Sequence, residues 1–410
     1  MPPAFLPHRC RPYPAGAPLW LAALVLLLGL APGTARADWP MFMGGPTHGG
    51  GADAGPGATA KVLWSVALGS SVDSSPAVVG GRVYVGTADG DLCAVSADQG
   101  TVLWRFSTGG AVVSSPAVAG DRVVVGSVDC FVYCLATADG KLLWKYRTWK
   151  PVTAPPTVAD GVAYVGSVDG SLTALGMDQG EVRWQVQDPA GITGAPVVAT
   201  GWVFYGDRAG TVRARRADNG KQIWAAAERS PVVGSPSLSG KLLLVPYMCY
   251  SAITPPQVDF LVAYDGATGT PLWALNTMNN RPASVSVFTT PAIADGVAYF
   301  ATVEGYLSAT EMHAVSLADG SLLWKTPIDT AVTVGGASVP AHNVVASSPV
   351  AAGDYLYFGA GDGSLWVLQR QTGQVVARVA LAQKIYSSPA VTGGRVYIGA
   401  GDGKLYCVGG

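Results

Sequence analysis

Charge is scarce in this chain: Asp, Glu, Lys and Arg make up 13% of its 410 residues. No run of like charges occurs, which removes the polybasic stripe that a nucleic-acid or anionic-membrane surface would need. Beyond the N-terminus there is no apolar period of helical spacing and no apolar run long enough to span a bilayer. Cysteine is also thin, at 6 residues. They form no CxxC, no CxxCH haem attachment, no paired zinc spacing and no adjacent Cys-Cys. Histidine is rarer still, at 4 residues, so a Ser-His-Asp centre has little to draw on and no nucleophile-base pair can be identified. What is plentiful is glycine (53) and proline (29), the composition of many short buried strands joined by tight turns.

The N-terminus reads as a targeting segment. His8, Arg9 and Arg11 precede an apolar run from Leu19 to Leu30, and Ala35-Arg36-Ala37 forms a small-x-small cleavage site before Asp38. Residues 1–37 are therefore expected to be a signal peptide, and the protein to be periplasmic or secreted. Removing their three arginines from 26 basic residues leaves 23 against 27 acidic ones, a net of −4. Five cysteines remain after Cys10. Cys134 and Cys407 stand where other repeats carry Ala94, Ala174, Ala214, Ala263 and Ala314, and so read as small core residues. Cys93, Cys130 and Cys249 vary, and the pairing among all five stays open.

The stretch from Ser74 to Phe106 contains four short apolar runs separated by Gly80-Gly81, Asp89-Gly90 and Asp98-Gln99-Gly100. Those are four antiparallel strands with turn chemistry between them, and the acidic turn residues belong to the turns and not to a catalytic carboxylate pair. The pattern returns along the chain. Its last-strand tryptophan recurs as Trp64, Trp104, Trp144, Trp184, Trp224, Trp273 and Trp324, then as Ala377. Its first-strand proline recurs as Pro76, Pro116, Pro156, Pro196, Pro236, Pro291, Pro349 and Pro389. Eight first strands and eight last strands, with the chain starting on a last strand and ending on a third, predict an all-β, eight-bladed propeller of four-stranded antiparallel blades. An N-terminal strand completes the last blade, leaving no open edge. Residues 38–60 are expected to be a strap and 61–410 the propeller. The tryptophans are expected to dock blade against blade.

Ala263-Tyr264-Asp265-Gly266-Ala267-Thr268-Gly269 with Trp273 matches A-x-D-x-x-T-G-x-x-x-W, the tryptophan-docking pattern of the pyrroloquinoline-quinone-type (PQQ-like) propeller repeats. Ala94, Gly100 and Trp104, and Ala314, Asp319, Gly320 and Trp324, match in part, and the opening DWPMF is similar to the start of many exported members. The resemblance covers nearly all of residues 38–410. It implies two activities beside a plain binding role. One is a PQQ-dependent dehydrogenase using quinone with calcium, for which Glu304, Asn280 and Arg281 are the residues that could be assembled around a cofactor; the alcohol enzymes of that family carry adjacent cysteines, which this chain lacks. The other is a role like that of the propeller lipoprotein supporting outer-membrane protein assembly, whose anchoring cysteine directly follows its signal peptide; here Asp38 follows Ala37.

Chemistry in a repeat scaffold lies where the copies differ. The first four repeats are evenly spaced, while the later ones are lengthened at 246–258, 276–287, 303–311 and 326–345. In a four-stranded blade, the connections that hold these additions emerge on one face, over blades 5 to 7. The expected function is thus an exported binding or scaffold protein, most simply a monomer, that meets a protein partner or a small polar ligand there. Tyr247, Met248, Tyr250, Asn280, Arg281, Glu304, Tyr306, His313, His342 and Asn343 are the expected contact residues. No nucleic acid, metal or cofactor is expected.

Overall fold

The computed structural model describes residues 38–52, 54–228, 230–248, 259–276, 285–304, 309–328, 330–334, 337–341, 345–381 and 383–410, within a compact unit, Arg36–Gly410. Blade 1 is built of Ala77–Val79, Arg82–Gly86, Asp91–Ser96 and Val102–Ser107, from first to outer strand, each antiparallel to the next. Blades 2, 3 and 4 repeat it over 117–147, 157–187 and 197–227, and blades 5, 6 and 7 over 237–276, 292–327 and 350–380. The fold is the eight-bladed, all-β propeller that the repeat predicts. Blade 8 takes Ala390–Thr392, Arg395–Gly399 and Lys404–Gly409 from the C-terminus and its outer strand, Lys61–Ala67, from the N-terminus. Lys61 pairs with Gly409 and Ala67 with Lys404, so the ring closes on itself.

Adjacent blades are joined by the recurrent tryptophans. The indole N–H of Trp104 donates to the Thr137 carbonyl (3.0 Å), that of Trp144 to Met177 (2.9 Å), Trp184 to Ala217 (2.7 Å) and Trp224 to Gly266 (2.8 Å). Trp64, Trp273 and Trp324 do the same to Ala97, Leu317 and Arg370. Each ring lies against a turn glycine of the next blade. At Gly140, which has φ +73°, an added Cβ would stand 2.6 Å from the Trp104 ring, so glycine is required both for its backbone and for its lack of side chain. Ala377 replaces the tryptophan in blade 7 for a visible reason. The third and outer strands of neighbouring blade 8, Lys404–Gly409 and Lys61–Ala67, are far apart in the chain, so no turn joins them. The short 3-10 turn Gly57–Thr59 lies against the outer strand of blade 7 instead, and the Gly57 N–H donates to the Tyr357 hydroxyl (2.9 Å).

Around the axis the first strands converge through small hydroxylated residues. Backbone N–H groups donate to hydroxyls one blade further on: Ala195 to Ser235, Ser235 to Thr290, Thr290 to Ser348, Ser348 to Ser388, Ser388 to Ser75 and Ser75 to Ser115. Blade 3 has Pro155 at this place. Having no N–H to donate, it needs no acceptor on blade 4, where Ala195 stands.

The path of the strap is what the sequence did not reveal. Its carbonyls accept hydrogen bonds from the inward edges of the first strands, at equivalent positions blade after blade. Trp39 exchanges two bonds with Val78, and Val118 donates to Pro40, Val198 to Pro46, Leu238 to Thr47, Ile293 to Gly49 and Ala351 to Gly50. Trp39, Met41, Met43 and His48 are buried along it. These contacts lie near the first-to-second-strand turns, so the strap occupies the end of the axis opposite the lengthened connections.

Candidate functional site

The lengthened connections do not all fold as loops. In blade 6 the second strand runs Val297–Glu304 and the third Ala309–Ser316, in continuous register from Val297 with Ser316 to Glu304 with Ala309. Val285–Ser286 forms a further strand that pairs with Glu304 and Val303, and Thr330–Val334 pairs with Ala337–Ala341 as a separate antiparallel pair. Within the described residues, the added length on blade 6 and in the connection after it is thus extra sheet.

Two expected contact residues are corrected by this geometry. Tyr247 is wholly buried and Met248 nearly so. The Tyr247 hydroxyl lies 2.8 Å from that of Tyr264, which bonds to the Glu228 carboxylate (3.1 Å), and burial pushes the Tyr247 phenol well above its ordinary range. Both residues also knit the connections together: Met248 N–H donates to Pro231, and Val287 N–H donates to Tyr247. An aromatic and a methionine in a lengthened segment had looked like surface, yet their neighbours on the strand place them in the core. Glu304 ends the second strand of blade 6. Tyr250, Asn280, Arg281, Tyr306, His342 and Asn343 lie outside the described residues, as does Cys249.

His313 is brought into a polar group on the third strand of blade 6. Its Nε2 lies 3.0 Å from Thr302 Oγ1 and 3.3 Å from Glu311 Oε2, its ring stacks on Phe300, and Lys325 Nζ is 2.8 Å from Glu311 Oε1. The hydrogen bond from His313, followed by that from Lys325, holds Glu311 down at about 2. Thr302, His313 and Glu311 are the residue types of a nucleophile, base and orienting acid. Their arrangement differs from such a relay, because hydroxyl and carboxylate meet the same ring nitrogen. The group suits fixed polar recognition and not acyl transfer. Thr302 and Lys325 were not anticipated from the sequence.

Beside this sector, blade 4 buries a second polar group that sequence reasoning missed. Asp188, in the connection entering the blade, lies 2.9 Å from Arg215 and 3.2 Å from Arg213, and Asp207 lies 2.6 Å from Arg213. Tyr205 donates to Asp188 and accepts from Arg215 Nε (2.6 Å), and burial with the neighbouring carboxylate raises its phenol. Two arginines balance two aspartates, which is the condition for tolerating buried charge. A signal existed: Arg213 and Arg215 stand on a third strand where blades 1 to 3 carry Cys93 and Val95, Tyr133 and Leu135, and Thr173 and Leu175.

A calcium-bound quinone needs free oxygen donors gathered at one place. The carboxylates of Asp188, Asp207 and Glu311 are already engaged by arginine, tyrosine, lysine or histidine. Among the described residues no three His, Cys, Asp or Glu side chains are gathered as a metal site. Asp188, Asp207 and Glu311 do not form such a set; of the residues expected around the cofactor, Asn280 and Arg281 lie outside the described residues.

A family model described as outer membrane protein assembly factor BamB matches residues 53–130, 95–194 and 189–409. None of the curated proteins matches the chain. Among solved structures, BamB from Moraxella catarrhalis is 16% identical with a TM-score of 0.68, over 86% of this chain and 98% of that one. The quinohemoprotein alcohol dehydrogenase from Comamonas testosteroni is 14% identical with a TM-score of 0.74, over 91% of this chain and 80% of that one. A europium-containing methanol dehydrogenase is 14% identical with a TM-score of 0.71, over 91% and 98%. At such identities these likenesses concern the fold.

Proposed function

The chain belongs to the PQQ-like propeller family described as outer membrane protein assembly factor BamB, and from that premise we propose that it is an exported binding module whose contact surface is the raised sheet over blades 5 to 7. The observation that carries this reading is the restriction of added length to one face of one sector, where it takes the form of the strand Val285–Ser286 and the pair Thr330–Val334 and Ala337–Ala341. The pair Thr330–Val334 and Ala337–Ala341 has no third strand among the described residues, so its edges offer backbone donors and acceptors to a protein partner, while His313, Glu311 and Lys325 offer fixed polar groups on blade 6. The opposite end of the axis is occupied by the strap, which leaves the lengthened face as the side open to contact. Export rests on the sequence of residues 1–37, and among the described residues no helix is long and apolar enough to cross a membrane.

The test replaces 330–341 by an Asp-Gly turn and compares cross-linking to envelope proteins in the producing cell. A ring that melts normally but loses a discrete adduct formed by the unaltered protein is the expected result. An unchanged adduct would reject this surface.

A further inference from the structure

Blade 2 carries a departure from the repeat that the fold does not use. Trp149 is 86% exposed, in the connection between blades 2 and 3. In the equivalent connection of blade 1 the residue is Gly109, and in that of blade 3 it is Pro189. The loop forms identically without the indole: Gly109 N–H donates to Asp129 (2.7 Å) as Trp149 N–H donates to Asp169 (2.9 Å), and Thr108 N–H donates to the Gly90 carbonyl as Thr148 N–H does to Cys130. The tryptophan side chain is therefore surplus to the loop, and leaving so large an apolar surface in water is unfavourable unless something covers it.

Three basic residues flank it, against two acids, Asp129 and Asp169. Lys145, Arg147 and Lys150 are exposed, and none of the three forms an ion pair with a described residue; Lys145 stands over the Phe131 ring (4.7 Å). The nearby acids are held in the turns. Asp129 accepts from Gly109, Phe131 and Tyr133, and Asp169 from Trp149 and Ser171. We propose that Trp149, framed by Lys145, Arg147 and Lys150, anchors an acidic polypeptide segment that carries an apolar side chain to cover the indole. Aromatic and arginine anchors surrounded by complementary charge are the usual composition of an interface hot spot. A broad anionic membrane fits less well, because the same face also carries Asp89, Asp129 and Asp169, which a flat lipid surface would meet and a narrow segment can avoid. This contact lies across the ring from the raised sheet and does not depend on it.

The probe is a fluorescein-labelled peptide of repeated Glu-Glu-Phe, titrated by anisotropy against the unaltered protein, Trp149→Ala, and Arg147→Glu with Lys150→Glu. Binding should weaken as salt rises, and each variant should lose about tenfold or more in affinity. Melting temperatures should stay unchanged, since the altered side chains are exposed. The protein whose 330–341 pair is replaced should bind the peptide normally, which separates this contact from the proposed surface over blades 5 to 7. Equal affinity for Trp149→Ala and the unaltered protein would overturn the proposal, as would failure of the unaltered protein to bind. Binding to phosphatidylglycerol vesicles through Trp149 without binding to the peptide would replace it with a membrane contact.

Discussion

The two ends of the propeller axis are held by different means. At one end a single strap crosses from blade to blade, lending a carbonyl to the first strands of blades 1, 2, 4, 5, 6 and 7 and burying Trp39, Met41 and Met43 as it goes. At the other end the described additions take the form of extra sheet on blade 6 and in the connection that follows it. The contrast teaches that the repeat provides a ring and that each end is specialised by segments lying outside the repeat. One segment binds the ring to itself, and contact is proposed for the others.

Altering the two ends should therefore have unequal effects. Deleting residues 38–52 should cost most, about 6 kcal/mol from three buried apolar side chains at about 2 kcal/mol each. It should also expose the amides of Val118, Val198, Leu238, Ile293 and Ala351, which hydrogen exchange would report. Trp104→Ala, which removes one joint between blades, should cost about 3–5 kcal/mol in chemical denaturation, as should Asp188→Ala, which leaves Arg213 and Arg215 buried with one carboxylate between them. Replacing 330–341 should change the melting point least, because the pair stands apart from the blades.

Acid should separate the two ends as well. His48, wholly buried in the strap with Nδ1 3.1 Å from the Pro236 carbonyl, is lowered from 6.5 to about 4 by desolvation. The unfolded chain binds that proton more readily, so stability is lost as pH falls from 6.5 towards 4, by about 3 kcal/mol. Glu311 is lowered from 4.5 to about 2. Its contribution is present above 4.5 and is lost as pH falls towards 2, and exposure makes that loss smaller. Denaturation curves taken across pH should show the upper step vanish in His48→Asn and the lower one in Glu311→Gln.

The ring was legible because its determinants repeat. Proline at each first strand and tryptophan at each outer strand state the blade count, and DG or GG pairs state the turns. Even the exception at Ala377 follows from the ring, once blade 8 is seen to lack the turn that would receive an indole. The strap was legible as a segment but its path was not, because the bonds that guide it along the first strands run to its backbone carbonyls, which leave no trace in side-chain pattern. The burial of Tyr247 was hidden for another reason. It follows the second strand of blade 5 directly, and whether such a residue faces inward depends on Tyr264 and Glu228, which arrive from other strands. Arg213 and Arg215 were visible as an anomaly, but their partner Asp188 lies in the connection from the preceding blade.

The most direct test of the account compares the two ends within one experiment. A photo-cross-linking residue is placed at Val332, in the raised pair, and separately at Lys241, in the first-to-second-strand turn of blade 5 at the strap end. A discrete envelope-protein adduct from position 332 and none from position 241 is the predicted result. Adducts from position 241 alone would contradict it, and would move the working surface to the end that the strap holds.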